Sequence, residues 1–132
     1  MSKVVLLDAG PLGRLARPGE SPRNGSCCAW ALDLQRKGAI VRVTAIADYE
    51  VRRENVRLNR ADALAELDSL KARYAYLPLC EEALRWAADY WAQARTIHGR
   101  AAGGDKLDAD MNAIRLSRMF LGRRGLVQQL FA

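Results

Sequence analysis

Acidic residues at three places in the chain carry its chemical interest. Asp8 follows directly on the apolar run Val4-Val5-Leu6-Leu7, Glu50 lies in a helical stretch after a second apolar run, and Asp108 and Asp110 open the last helical pattern. An acidic side chain at the carboxyl end of a buried strand is a site candidate on architectural grounds, because open α/β sheets bind ligands along that edge. Other chemistries find little support. His98, the single histidine, sits beside Gly99 where a helix should end, so it reads as a capping or solvated group, and no Ser/His/Asp triad can be assembled. Cys27, Cys28 and Cys80 lack the CxxC or Cys/His spacing of a zinc site and read as reduced core thiols.

The elements that must position these acids follow from the hydrophobic pattern. Val4 to Leu7 is a continuous apolar run, the mark of a strand buried on both faces of a parallel sheet, and it ends at Asp8-Ala9-Gly10-Pro11. Arg17-Pro18-Gly19-Glu20-Ser21-Pro22 reads as a loop, with Ser26 capping a helix through Trp30, Leu32 and Leu34. After the Gly38 stop, Ile40 to Val43 forms a second strand, and Thr44 N-caps a helix from Ala45 towards Leu58. Asp62 is the expected cap of the next helix, whose packing stripe is Leu64, Leu67, Leu70 and Tyr74. Tyr76 to Leu79 is a short strand near a sheet edge, since Pro78 lacks a ladder donor. Leu84, Ala87, Ala88, Trp91 and Ala94 mark a further helix. Trp30 and Trp91 are expected in the core, with Trp86 open to other uses. Gly99 to Gly104 is a turn before a last helix bearing Ala113, Leu116 and Phe120. Strand and helix alternate, which gives a three-layer α/β/α sandwich with a mainly parallel sheet.

The 132 residues suffice for a single domain spanning 1–132 with a core that needs no staples. Half the residues are hydrophobic and 27% are charged, which excludes a disordered or fibrous chain. The apolar run at the N-terminus is too short for a signal segment or membrane span, so a cytoplasmic protein with no membrane partner is expected. A net charge of +6 suits a polyanionic partner, although a solvated basic surface gives the same count.

At this point a resemblance becomes visible. Val4-Val5-Leu6-Leu7-Asp8-Ala9-Gly10-Pro11-Leu12 resembles the opening motif of the PIN domain family, a strand, then Asp-Thr, then a small residue. Val43-Thr44-Ala45-Ile46-Ala47-Asp48-Tyr49-Glu50-Val51-Arg52-Arg53-Glu54 is similar to its second motif, in which a glutamate follows a short helical lead-in, and Leu107-Asp108-Ala109-Asp110 resembles the start of its third. The order and spacing of the three point to PIN ribonucleases of the VapC toxin type. The resemblance implies a PIN-like fold and a magnesium- or manganese-dependent endoribonuclease leaving a 3′-hydroxyl and a 5′-phosphate. RNA is then the substrate, with a cognate antitoxin and a homodimer as possible partners. It also implies Asp8, Glu50 and Asp110 as catalytic metal ligands. Two carboxylates about 4 Å apart repel by roughly 4 kcal/mol at an effective dielectric near 20, so such a cluster needs a cation. Magnesium takes oxygen ligands, polarises a phosphodiester oxygen and acidifies an attacking water.

Asp108 and Asp110 are two apart on a helix and point to nearly opposite sides, so one of them joins the site. Asp110 precedes Ala113 and Ile114 by three and four positions and turns towards the buried face, while Asp108 suits an N-cap; Asp108 stays open as the other metal ligand. Asp48 and Glu54 read as solvated or paired with arginines. Taken singly, Asp8 also fits a turn-forming aspartate and Glu50 an ion pair with Arg53 or Arg57. Arg52, Arg53 and Arg57, in the basic run ending at Arg60, are expected to hold the RNA backbone together with Arg14, and Arg17 is a further choice; a solvent face with intrahelical pairs is the competing reading.

The chain departs from the family pattern in two places. Ala9 replaces the threonine after the first aspartate, removing a hydroxyl near the metal. After about residue 111, Met111-Asn112-Ala113-Ile114-Arg115 loses the apolar-alanine run, and no Thr-Asn motif or fourth acid follows. A truncated or frameshifted member lacking the last strand is therefore expected, with a weakly ordered tail after Gly122, an exposed sheet edge and a tendency to self-associate. Leu121 to Phe131 is the one stretch that could supply a substitute strand. The alternative to a ribonuclease is a catalytically degenerate PIN-like protein that binds RNA, an antitoxin or a second copy of itself.

Overall fold

The computed structural model describes residues 3–98 and 127–130. Val4–Leu7 forms β1, with all four residues buried. Ile40–Thr44 forms β2 and Ala75–Leu77 forms β3. Helices α1 (Ala9–Leu15) and α2 (Pro22–Arg36) connect β1 to β2, and α3 (Ala45–Arg57) and α4 (Ala61–Arg73) connect β2 to β3. Helix α5 spans Glu81–His98, and β4 is Val127–Leu130. The sheet runs β3-β2-β1-β4, and every pairing is parallel.

The expected loss of the last strand is corrected by β4. Val127–Leu130 lies in register against Val4–Leu7, so β1 is a central strand rather than an open edge. The physical reason is that both edges of a fully buried apolar strand need ladder partners. β3 lies at the other edge, as expected, but it runs Ala75–Leu77 rather than Tyr76 to Leu79, so Pro78 falls just past the strand.

Both faces of the sheet are covered. Leu7, Val41 and Val43 enter one cluster with Leu12, Leu15, Val51, Leu67, Leu70 and Tyr74 from α1, α3 and the region of α4. Val4, Leu6 and Leu77 form a second cluster, as the period of two along a strand requires. The α/β reading with a parallel sheet thus holds.

Two helix ends follow one device. Gly38, at φ +82°, ends α2: its N–H bonds the Gln35 carbonyl at 3.0 Å, and Ala39 N–H bonds that of Leu34 at 3.0 Å. Asn59, at φ 52°, ends α3 in the same way, with Asn59 N–H on Val56 at 3.1 Å and Arg60 N–H on Asn55 at 2.9 Å. These are Schellman closures, which place a left-handed residue just past the helix and satisfy its last carbonyls.

Several boundaries differ from the sequence reading. Asp8 starts α1 at once, so Gly10-Pro11 lies inside the first helical turn, where proline's missing N–H is no loss. Ser21, not Ser26, caps α2; its Oγ accepts the Asn24 N–H at 3.2 Å and Pro22 takes the first helical position. Asp62 does not cap α4, because the Asn59 closure leaves only Arg60 at that place and Asp62 falls within the first turn. Thr44 caps α3 as expected, accepting the Ala47 N–H at 3.3 Å. In α5 Ala87 is buried as expected, but Ala83 is buried in place of Leu84, and Leu84 and Trp91 are exposed. Trp30 packs half-buried against the core. The Gly99–Gly104 turn, the last helix and the side chain of Trp86 lie outside the described residues.

Candidate functional site

The strand order fixes where a ligand crevice belongs. From β1 the chain moves outward to β2 and β3, then crosses to the other side of β1 for β4, so the direction reverses at β1. In open α/β sheets ligands bind beyond the carboxyl ends of the strands at such a reversal. Asp8 is the residue immediately after β1. It is half-buried, and its Oδ1 accepts the Ala9 N–H at 2.8 Å, so its carboxylate is held at the start of α1. The turn-forming role and the site role are therefore compatible.

Glu50 is half-buried on α3 and lines a cavity of about 300 Å³ between α1 and α3. Ala9, Gly10, Gly13 and Arg17 form the α1 side of that cavity, and Val51, Glu54 and Asn55 join Glu50 on the other. The fold thus brings Glu50 to a cavity that opens one residue after Asp8. A larger cavity of about 640 Å³ adjoins it, sharing Arg17 and Arg60. Asp108 and Asp110 lie outside the described residues.

The carboxylates near Glu50 differ in their surroundings. Asp48 is buried rather than solvated, and it pairs with Arg52 Nη2 at 3.0 Å and Lys71 Nζ at 3.3 Å. Arg52 also reaches Asp68 on α4 at 2.7 Å, and Lys71 lies 4.4 Å from the centre of the Tyr76 ring. The hydrogen bond from Arg52 to Asp48, followed by that to Asp68, pushes the guanidinium above its ordinary pKa. This network ties α3 to α4 and β3. Removing Arg52 leaves a buried carboxylate with one cation, so Arg52→Ala should cost about 1–2 kcal/mol in urea denaturation. An unchanged midpoint would show that solvent takes over the pairing.

Glu54 is exposed and pairs with Arg57, whose Nε lies 3.1 Å from it; that hydrogen bond holds the Glu54 carboxyl below its usual range. Arg53 stacks over the Tyr49 ring at 5.5 Å, and Arg14 sits half-buried in the last turn of α1. Of the four arginines expected to face RNA, Arg52 and Arg57 thus carry carboxylate partners, while Arg14 and Arg53 flank the cavity helices.

The donor chemistry here is oxygen. Asp8 and Glu50 are hard ligands suited to magnesium or manganese. The cysteines bear out the core reading in part: half-buried Cys27 and Cys28 pack against the main cluster, burial raising both thiols above their ordinary pKa, while Cys80 is half-buried outside both clusters. Among the described residues no group of three His, Cys, Asp or Glu stands ready to hold a metal.

The residue that sequence reasoning missed is Asn55. It is buried, its Nδ2 donates to the Val51 carbonyl at 2.8 Å, and its Oδ1 has no hydrogen-bond partner. The available signal was an asparagine on the apolar side of α3, four residues after Val51, where helix propensity disfavours it.

No family model and no curated protein matches the chain. Among solved structures it is similar to a chain of the crystal structure of VapBC2 from Rickettsia felis bound to a DNA fragment from their promoter. The match covers 97% of this chain and 99% of that one, with a TM-score of 0.64 at 10% sequence identity. At that identity the likeness speaks for the fold alone, and the chain has an α/β fold of the PIN/VapC type.

Proposed function

We propose that the protein is a metal-dependent endoribonuclease of the PIN/VapC toxin type that hydrolyses RNA phosphodiester bonds. The observation that carries this reading is the placement of Asp8 at the carboxyl end of β1, beside the cavity that Glu50 lines, on a VapC-like fold. Asp8, Glu50 and Asp110 would hold magnesium or manganese, with Asp108 as the other choice for the third ligand. When bound, the ion supplies a Lewis acid for the phosphodiester and a lowered pKa for an attacking water.

The chain's own groups supply binding and orientation. The Asp8 carboxylate is kept in place by the Ala9 amide, and Glu50 is presented by a helix that is anchored in the core through the neighbouring Ala47 and Val51. Arg14 and Arg53 offer positive charge for the RNA backbone, and Arg52 and Arg57 add to the field although they are ion-paired. A small antitoxin-type partner belongs to the same reading, as the similarity to a VapBC2 chain invites, and a homodimer is proposed with it. No helix among the described residues is long and apolar enough to cross a membrane; a cytoplasmic location is part of the proposal.

The test is cleavage of a structured RNA by the wild-type protein with millimolar magnesium or manganese and with the metal removed by EDTA. Cleavage should require the ion. The melting temperature should rise by several degrees with saturating metal, since a ligand at about a hundred times its dissociation constant stabilises the native state by about 2.7 kcal/mol. RNA binding without cleavage, together with a melt indifferent to metal, would overturn the nuclease and leave a binding protein.

A further inference from the structure

Tyr49, in the first half of α3, presents an aromatic ring to solvent beside the candidate site. It is 60% exposed, against 39% for Trp91 and 37% for Tyr76, the other exposed aromatic residues among the described residues. Its Cα lies about 3.8 Å from that of Glu50 across the shared peptide. One residue along a helix turns the side chain by about 100°, so Glu50 lines the cavity against α1 while Tyr49 looks outward next to it. The guanidinium of Arg53, one turn further on, lies over the Tyr49 ring, 5.5 Å from its centre.

The surroundings of the ring decide what kind of partner fits it. Its neighbours one turn ahead are Arg52 and Arg53, and those one turn behind are the half-buried Ala45 and Ile46. Arg52 is taken up by Asp48 and Asp68, whereas Arg53 is exposed and has no ion pair among the described residues. A protein interface needs a contiguous apolar core, yet the next exposed apolar side chain on α3, Val56, lies about two turns away with the arginines between. A nucleotide needs only one ring and one cation. Its flat base stacks on the ring and its phosphate answers the positive charge. The base is uncharged, so it meets no repulsion from the Glu50 carboxylate.

We infer that Tyr49 is the stacking platform for one unpaired base of an RNA strand, with Arg53 bracing one face of the ring and the base taking the other. The inference rests on the ribonuclease reading for the identity of the polyanion. It deepens that reading by making the substrate single-stranded where it passes Glu50. Bases inside a duplex are stacked on their neighbours and offer no free face, so an exposed ring selects loops and ends. It does not select a sequence, because every base has a π-face.

The test uses a short labelled single-stranded RNA in millimolar calcium, a hard cation that fills oxygen sites, with the strand checked on a gel to be intact. When the uridines are replaced by 5-iodouridine, long-wavelength irradiation joins a stacked base to the ring it lies on, and mass spectrometry should find the RNA attached at Tyr49. The same sequence in a full duplex should not attach there. In fluorescence anisotropy Tyr49→Leu should bind about tenfold more weakly with an unchanged salt slope, the worth of one stacked base. Tyr49→Phe keeps the ring and should bind within about twofold of the wild type. Arg53→Gln should weaken binding and make the salt slope shallower by about one. If Tyr49→Leu fails to fold, the crosslink in the wild type and the binding of Tyr49→Phe decide the matter. Attachment at Tyr76 or Trp91 with none at Tyr49 overturns the inference, as does wild-type binding by Tyr49→Leu or a loss in Tyr49→Phe as large as in Tyr49→Leu. It also falls if Tyr49→Leu spares RNA binding but abolishes self-association or binding of an antitoxin-type protein. A crosslink at Tyr49 in a protein that does not cleave RNA with magnesium supports this site and overturns the nuclease; magnesium-dependent cleavage with equal binding by the wild type and Tyr49→Leu does the reverse.

Discussion

Asp8→Asn is expected to lower metal-dependent RNA cleavage by about three orders of magnitude while leaving the metal-free fold intact. The substitution keeps size and shape and removes one negative charge. Asparagine caps helices as well as aspartate does, so the start of α1 and its bond from the Ala9 amide should survive, and the metal-free melting temperature should hold within a few degrees. What disappears is an anionic ligand. A bound metal contributes several kcal/mol of transition-state charge stabilisation, and each interval of about 1.4 kcal/mol is tenfold in rate, which gives the expected size. The stabilisation by magnesium seen with the wild type should shrink in parallel. Two assays check this, initial rates of RNA cleavage and melting curves with and without magnesium. Equal rates for variant and wild type would remove Asp8 from the site. A collapsed melting temperature would show that its role is structural.

Leu12→Ala should destabilise the protein by about 3 kcal/mol, within the range of roughly 2–5 kcal/mol for emptying a buried leucine site. Leu12 has no exposed surface and lies in the main cluster with Leu15, Val51 and Leu67. Its backbone N–H bonds the Asp8 carbonyl at 3.0 Å, so the same residue that fills the core also locks the first turn of α1 beneath Asp8. The loss should appear in urea denaturation as a lower midpoint with an unchanged slope, and as a fall of about 10 °C in melting temperature. A loss under about 1 kcal/mol would mean that α1 is not packed as described and that the cavity wall it forms is not rigid.

Much of the framework was legible in the sequence because it depends on local pattern. A continuous apolar run reads as a buried parallel strand, and Val4–Leu7 obeyed that rule, while Ile40–Thr44 formed a strand although Arg42 interrupts its apolar run and Ile40 is exposed. Thr44 caps α3 and Gly38 ends α2 because capping and left-handed backbone are properties of single residues. Boundaries at Ser21, Asp62 and the α5 stripe were displaced where two signals competed, as when Pro22 served as a helix start rather than a loop residue. The position of Asp8 at a strand's carboxyl end, and of Glu50 on the following helix, was also readable, since both follow from chain order.

Only the tertiary structure decided the rest. Whether β1 is central or at an edge depends on a strand more than a hundred residues away, Val127–Leu130, and no local pattern encodes which edge a distant segment will join. Which charges face the cavity was equally undetermined. Arg52 and Asp48 are four apart on α3 and pair as helix geometry allows, yet the partners that complete the network, Asp68 and Lys71, come from α4. The same holds for Asn55 on α3 and Arg17 just past α1, 38 positions apart in the chain, which line one cavity only when α1 lies against α3. Sequence periodicity sets which face of an element is apolar; the packing of one element on another sets which polar atoms are left to bind something else.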